Sequence, residues 1–212
     1  MSNISVIIRN RNEERYIGYS IQSVLDNFDK PEIIVVDNNS TDKSMGIVNT
    51  FDFEDIKTYQ IDSYTPGKSL NYGVTKCSHD YILILSAHSQ IMECNFDKIK
   101  YCLKTYCVVG GKQIPIWNGK KISRRYVWSH FIEKDVQNLF SDSENRYFLH
   151  NAFSFFKKDT LLKNPFDESL SGKEDRYWVN DMISDGKKSY YDSETICHHH
   201  YTDNGATWKG LG

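Results

Sequence analysis

Short apolar runs that each end in a polar loop, separated by stretches of helical periodicity, occupy the first half of this chain and leave it few folds to adopt. Ile4 to Ile8 is strand-like, and Ile17, Ile21, Val24, Leu25 and Phe28 then recur on one helical face. Glu32 to Val36 follows as a buried strand, and Asp37 to Asp42 forms a polar turn whose Ser and Thr can cap a helix running toward Val48. A further strand is predicted over Ile56 to Ile61, and Thr65 before Pro66 is a cap and first-turn pair for a helix carrying Leu70 and Val74. Asp80 to Leu85 reads as a central strand, Phe96 to Tyr106 as a helix and Cys107 to Gly111 as a strand. Continuous apolar strands alternating with helices predict an α/β protein with a mostly parallel central sheet, giving way to an antiparallel portion in the second half.

The texture changes after residue 111. Ile114 to Trp117 and Lys121 to Ser123 flank Asn118-Gly119, the dipeptide suited to a tight hairpin. Tyr147 to Phe156 reads as strand, Glu174 to Ser184 as helix, and Cys197 to His200 ends a strand-like approach. With 212 residues, 39% of them hydrophobic, the chain can build a core without disulfides, and the shift is read as two halves, 1–111 and 112–212, of a single domain.

Composition narrows the partners. Twenty-six Lys and Arg against 28 Asp and Glu give a net charge of −2, so no global field draws the chain to nucleic acid, and phosphate binding must be local. The five cysteines, with no C-x-x-C pair and an odd count, fit a reducing compartment, and a cytoplasmic location is expected. Neither a secretory signal nor an apolar run of membrane-spanning length is read in the sequence. An aromatic content of 14% fits ring-lined binding surfaces as well as it fits an AT-rich coding habit.

In an open α/β sheet the ligand crevice lies beyond the carboxyl ends of the strands, where Arg9 to Glu13, Asp37 to Asp42 and Ser86 to Ser89 fall. Asp37 suits base or ribose hydrogen bonds, or else helix capping. Lys68, placed against a helix dipole, suits an anionic ligand, or else a plain surface position. Arg124 and Arg125 rank below it as a phosphate clamp.

Four blocks carry a family resemblance: Ile4-Ser-Val-Ile-Ile-Arg-Asn-Arg-Asn-Glu-Glu, Ile33-Ile-Val-Val-Asp-Asn-Asn-Ser-Thr-Asp42, Pro66-Gly-Lys-Ser-Leu-Asn71 and Tyr81-Ile-Leu-Ile-Leu-Ser-Ala-His88. In this order and spacing they resemble the nucleotide-sugar-binding half of a family 2 glycosyltransferase with the GT-A fold. Gly172-Lys-Glu-Asp175 with Trp178 resembles that family's acceptor side. The resemblance implies a nucleotide-sugar donor held by Arg9, Arg11, Asp37, Lys68, Asn71, Ser86 and His88, and an acceptor bound near Trp178 and Trp117. Tyr64 is a further candidate ring for stacking on base or sugar.

The resemblance also implies Asp175 as general base, with Glu174 as its orienting partner, and a single carboxylate base in one displacement implies inversion. Where the family commonly has Asp-x-Asp, this chain has Ser86-Ala87-His88. A divalent ion, manganese or magnesium, is therefore left open, and His88 moves the preference toward manganese or zinc, or donates to phosphate directly. Of the three consecutive histidines, His198 and His200 share a strand face and are the candidates to join His88 at a metal. The expected acceptor is a hydroxyl of a glycan, capsule, lipopolysaccharide or lipid-linked saccharide. A homodimer and a peripheral position at the inner membrane face are further expectations. A binding subunit without turnover and a nucleotidyltransferase are the alternatives.

Overall fold

The computed structural model describes residues 2–122 and 126–205. Its frame is the predicted α/β alternation: β1 (Ile4–Asn10), α1 (Ile17–Asn27), β2 (Glu32–Asp37), α2 (Ser44–Val48), β3 (Ile56–Gln60), α3 (Pro66–Lys76) and β4 (Tyr81–Ser86). Then come β5 (Ser89–Glu93), α4 (Phe96–Cys102), β6 (Val108–Trp117), β7 (Lys120–Lys121), a 3₁₀ turn at Tyr126–His130, β8 (Val136–Gln137), β9 (Phe140–Ser141) and β10 (Arg146–Tyr147). The chain closes through β11 (Phe153–Lys157), α5 (Lys158–Lys163), α6 (Glu174–Ser184) and β12 (Ser189–His200).

The main sheet runs β3-β2-β1-β4-β11-β6-β12-β5. Strands β3, β2, β1 and β4 are parallel neighbours, β11 lies antiparallel between β4 and β6, and β12 returns parallel to β6. The order turns back at β1, between β2 and β4, so a crevice opens beyond the carboxyl ends of β1 and β4.

Strand alternation divides the core into two layers. Val6, Ile8, Ile33, Val35, Leu83 and Leu85 pack with Ile17, Ile21, Val24 and Ile99 of α1 and α4. Ile7, Ile34, Val36, Ile82 and Ile84 pack on the other face with Leu70, Val74, Phe156, Phe166, Trp178 and Val179. The Thr65 hydroxyl accepts from the Lys68 N–H at 3.1 Å, so α3 starts at the predicted cap, with Pro66 as its first residue. Asn118 and Gly119 both take positive φ, 48° and 72°, and close the predicted hairpin between β6 and β7.

Two local readings are corrected. Cys107 to Gly111 and Ile114 to Trp117 belong to one long strand, β6, because Gly111 lets β11 approach: a Cβ there would stand 2.4 Å from the Phe153 ring. The stretch Tyr147 to Phe156 is no continuous strand, since a turn over residues 150–152 separates β10 from β11. Strand β5 and helix α5 were not anticipated; β5 is completed by pairing with the distant β12. Among the described residues, no helix is long and apolar enough to cross a membrane.

Candidate active site

The carboxyl ends of β1 and β4, the turn at 150–152, the N-terminus of α6 and His199 of β12 enclose a cavity of about 480 Å³. Parallel strands aim their termini into it, and α6 presents its first turn with no side-chain cap. Glu174 and Asp175, both buried, occupy that turn, where the helix dipole favours negative charge. The Asp175 carboxylate is fixed by two backbone donors: Asn151 N–H to Oδ2 at 2.9 Å, and Arg176 N–H to Oδ1 at 2.8 Å.

Glu174 is held differently. Arg9 Nη1 crosses from the end of β1 to donate to its Oε1 at 3.2 Å. Burial raises the Glu174 carboxyl above the usual range, the neighbouring Asp175 charge adds to the rise, and Arg9 opposes it. Below this turn the buried Arg176 lies 5.2 Å over the Phe148 ring with its Nε 3.1 Å from Glu144, which ties the β9-β10 ribbon to α6.

The histidines form a second cluster. His88 Nδ1 stands 3.2 Å from Glu13 Oε1, and His199 Nδ1 stands 2.9 Å from Gln113 Oε1. Glu13 as a carboxylate can only accept, and the Gln113 amide is oriented by its Nε2 donating to the His150 carbonyl at 3.0 Å. The two Nε2 atoms stand 3.0 Å apart, placed for one imidazole to donate to the other or, with both protons on Nδ1, for both to turn Nε2 lone pairs on one cation. Two converging imidazole lone pairs beside an open cavity fit two positions of a borderline divalent cation better than they fit magnesium. Among the described residues, no group of three or more His, Cys, Asp or Glu is placed to hold a metal ion, so any further positions would fall to a ligand or water. His150, also lining the cavity, is pushed down to about 3 by burial, with Arg176, Arg9 and His88 adding to the effect against Asp175, and is neutral near pH 7.

Among the predicted residues, Arg9, Arg11, Ser86, His88, Glu174 and Asp175 line the cavity. Asp37 is turned inward behind Asn10, accepting from the Asn10 amide at 2.9 Å and from the Ser40 hydroxyl and N–H at 2.6 and 3.0 Å. Lys68 is exposed and its Nζ donates to the Ser63 hydroxyl, outside the cavity wall. Asn71 is used structurally: its amide donates to the Phe166 carbonyl at 2.9 Å and accepts from the Phe166 N–H at 3.0 Å.

Trp178 is core, packed against Phe156 and Phe166, with Nε1 donating to the Asn164 carbonyl at 2.7 Å, so it has no face to offer an acceptor. Trp117 is half-exposed beside Tyr201, away from the cavity, whereas Tyr64 does line it. Arg124 and Arg125 lie outside the described residues.

The histidine assignment on β12 is reversed. Pairing with β6 and β5 directs His199 inward, and His200 stacks on Tyr16 at 4.7 Å while His198 stands edge-on to His200. Neither His198 nor His200 lines the cavity. Sequence reasoning also missed His150 and Asn151 as site residues; only a polar pair just before an apolar strand marked them.

The family model for Glycosyl transferase family 2 matches residues 5–163. The chain is 26% identical over 186 residues to a GalNAc(5)-diNAcBac-PP-undecaprenol beta-1,3-glucosyltransferase of Campylobacter jejuni, covering 85% of this chain and 60% of that protein. It is 25% identical over 206 residues to the minor teichoic acid biosynthesis protein GgaA of Bacillus subtilis, covering 87% and 44%. It thus spans about half the length of these curated relatives. Among solved structures it is similar to S. aureus TarS 1–349 in complex with UDP-GlcNAc, with a TM-score of 0.71, 22% identity, and 97% of this chain and 60% of that one covered. The complex of TarS 1–349 with UDP gives a TM-score of 0.72 at 21% identity, covering 95% and 61%. The sheet order, the crevice it opens and the extent of the family match lead to one conclusion: this chain has the GT-A fold and belongs to glycosyl transferase family 2.

Proposed function

We propose that this chain transfers a sugar, with inversion, from a uridine diphosphate sugar to a hydroxyl of a lipid-linked or teichoic-acid-type glycan. The observation that carries the reading is Asp175: a buried carboxylate at a helix N-terminus, oriented by two backbone N–H groups and set on the wall of the strand-end cavity. The printed ligands of the TarS structures support the uridine diphosphate part, and the relatives' names support the glycan class.

Three carboxylates line the cavity, and two make side-chain contacts at 3.2 Å, whereas Asp175 has only the longer 3.9 Å approach of Arg176 Nη1. Glu13 accepts from Thr202 and faces His88, and Glu174 accepts from Arg9. Asp175 is left to take the proton of the acceptor hydroxyl as its oxygen attacks the anomeric carbon. One base on one face supports a single displacement, hence inversion. Arg9 keeps Glu174 from adding a second uncompensated charge beside the base. Departing diphosphate needs positive charge; Arg11 lines the cavity, and His88 and His199 are the residues that would hold a divalent ion. Such an ion, when bound, neutralises charge on the leaving group.

The test supplies purified protein with UDP-glucose, UDP-galactose, UDP-GlcNAc and UDP-GalNAc and a glycan acceptor, and measures binding and UDP release. Asp175→Asn is expected to lower turnover about 10²- to 10⁴-fold while sugar-nucleotide affinity stays within about threefold. Unchanged turnover overturns the base assignment. Binding without turnover in the native chain favours a binding subunit, and pyrophosphate as product favours nucleotidyl transfer.

A further inference from the structure

Asn151 lines the cavity and is 2% exposed, yet neither its Nδ2 nor its Oδ1 has a hydrogen-bond partner in the structure. A buried carboxamide left unpaired has given up its hydration without return, so a protein that keeps one at a cavity wall gains from a partner arriving through the cavity.

The backbone around Asn151 is pinned from two sides. Its own N–H holds Asp175 Oδ2 at 2.9 Å, and the carbonyl of the next residue, Ala152, accepts from the Ser86 N–H at 3.1 Å. Asn151 thus stands between the carboxylate at the head of α6 and the end of β4, which carries Ser86 and leads to His88. Under the proposed function, the space between the base and the leaving-group end belongs to the transferred sugar. A carboxamide offers two donors and one acceptor, a combination matched to a hydroxyl or acetamido substituent on a sugar ring.

We infer that Asn151 is a specificity-determining residue that reads a polar substituent of the donor sugar, and this inference rests on the reading of the site as a sugar-nucleotide transferase. Its role differs from that of Asp175, since it moves no proton. A site built to hydrogen-bond such a substituent discriminates strongly against sugars that lack it or present it in the other orientation.

Calorimetric titration of UDP, and of the four UDP-sugars above, into the native chain, Asn151→Ala and the near-isosteric Asn151→Asp tests this without an acceptor. UDP affinity within about twofold of native in both variants shows an intact fold, and each variant is expected to lose about tenfold or more in affinity for the preferred sugar nucleotide. The native preference among the four sugars should flatten in the same variants. Native-like sugar-nucleotide affinity and preference overturn the inference, as does an equal loss for UDP, which marks general damage. In the turnover assay described above, a change confined to the KM of the acceptor also overturns it, by moving Asn151 to the acceptor side. If the native chain binds UDP but no UDP-sugar more tightly or selectively, the inference falls while nucleotide binding stands; if it binds neither, the proposed function falls first.

Discussion

Three residues beyond Asp175, Trp178 resembles a sugar platform, yet helix α6 turns it into the layer with Phe156 and Phe166. Trp178→Phe keeps most of the ring but removes the donor to the Asn164 carbonyl, and should cost about 1–2 kcal/mol in urea unfolding while acceptor KM stays native. A raised acceptor KM at native stability would return Trp178 to the binding surface. The histidine pair gives a second contrast at this scale. His199→Ala should weaken UDP-sugar binding in the presence of manganese by about tenfold or more, whereas His198→Ala should leave it within about twofold. Equal effects from both substitutions would mean that the inward register of His199 has no bearing on the ligand.

At the level of elements, the two ends of the sheet do different work. The carboxyl ends carry the cavity, while at the amino ends Glu32 of β2 joins three neighbours: Lys57 of β3 at 2.7 Å, the Ser5 hydroxyl of β1 at 2.5 Å and the Ser78 N–H after α3 at 2.7 Å. Burial alone would raise this carboxyl; the hydrogen bonds from Lys57, Ser5 and Ser78 overcome it and hold the pKa at about 2, against an ordinary 4.5. A depressed folded-state pKa stabilises fully above the unfolded value and loses that stabilisation as pH falls through the folded value. Stability should therefore decline from about pH 4.5 toward about pH 2, and Glu32→Gln should lower stability at pH 7 while flattening this part of the acid profile. Denaturant midpoints at several pH values check both; an unchanged acid slope in the variant would move the acid sensitivity to other carboxylates. The parallel strands and their helices were legible because each carries its own period and caps. Strand β5 was not, because five residues spanning Ser89–Glu93 become a strand only through pairing with β12, about a hundred residues onward.

Across the whole molecule, the five cysteines report the integrity of both core layers. Four are buried and Cys94 is half-buried. Burial pushes the thiols of Cys77 and Cys94 up to about 12 and Cys107 to about 11, and raises Cys102 and Cys197 as well. Folded protein at pH 8 should accordingly resist iodoacetamide, with all five sites labelled once it is unfolded in urea. Rapid native-state labelling of Cys77 or Cys197, followed by mass spectrometry, would show that one layer opens independently.

By itself the sequence determined the α/β class, the parallel run of strands, the cap of α3, the hairpin at Asn118-Gly119 and the carboxylate pair at the head of α6, because periodicity, capping and turn chemistry act within a few residues. Only the tertiary structure decided that His199 and not its two neighbours meets His88, that Asn71 and Trp178 serve the core, and that Asn151 stands unpaired beside Asp175. Those outcomes depend on strand register and on contacts between distant segments, and a shift of one residue along β12 would exchange the faces of all three histidines.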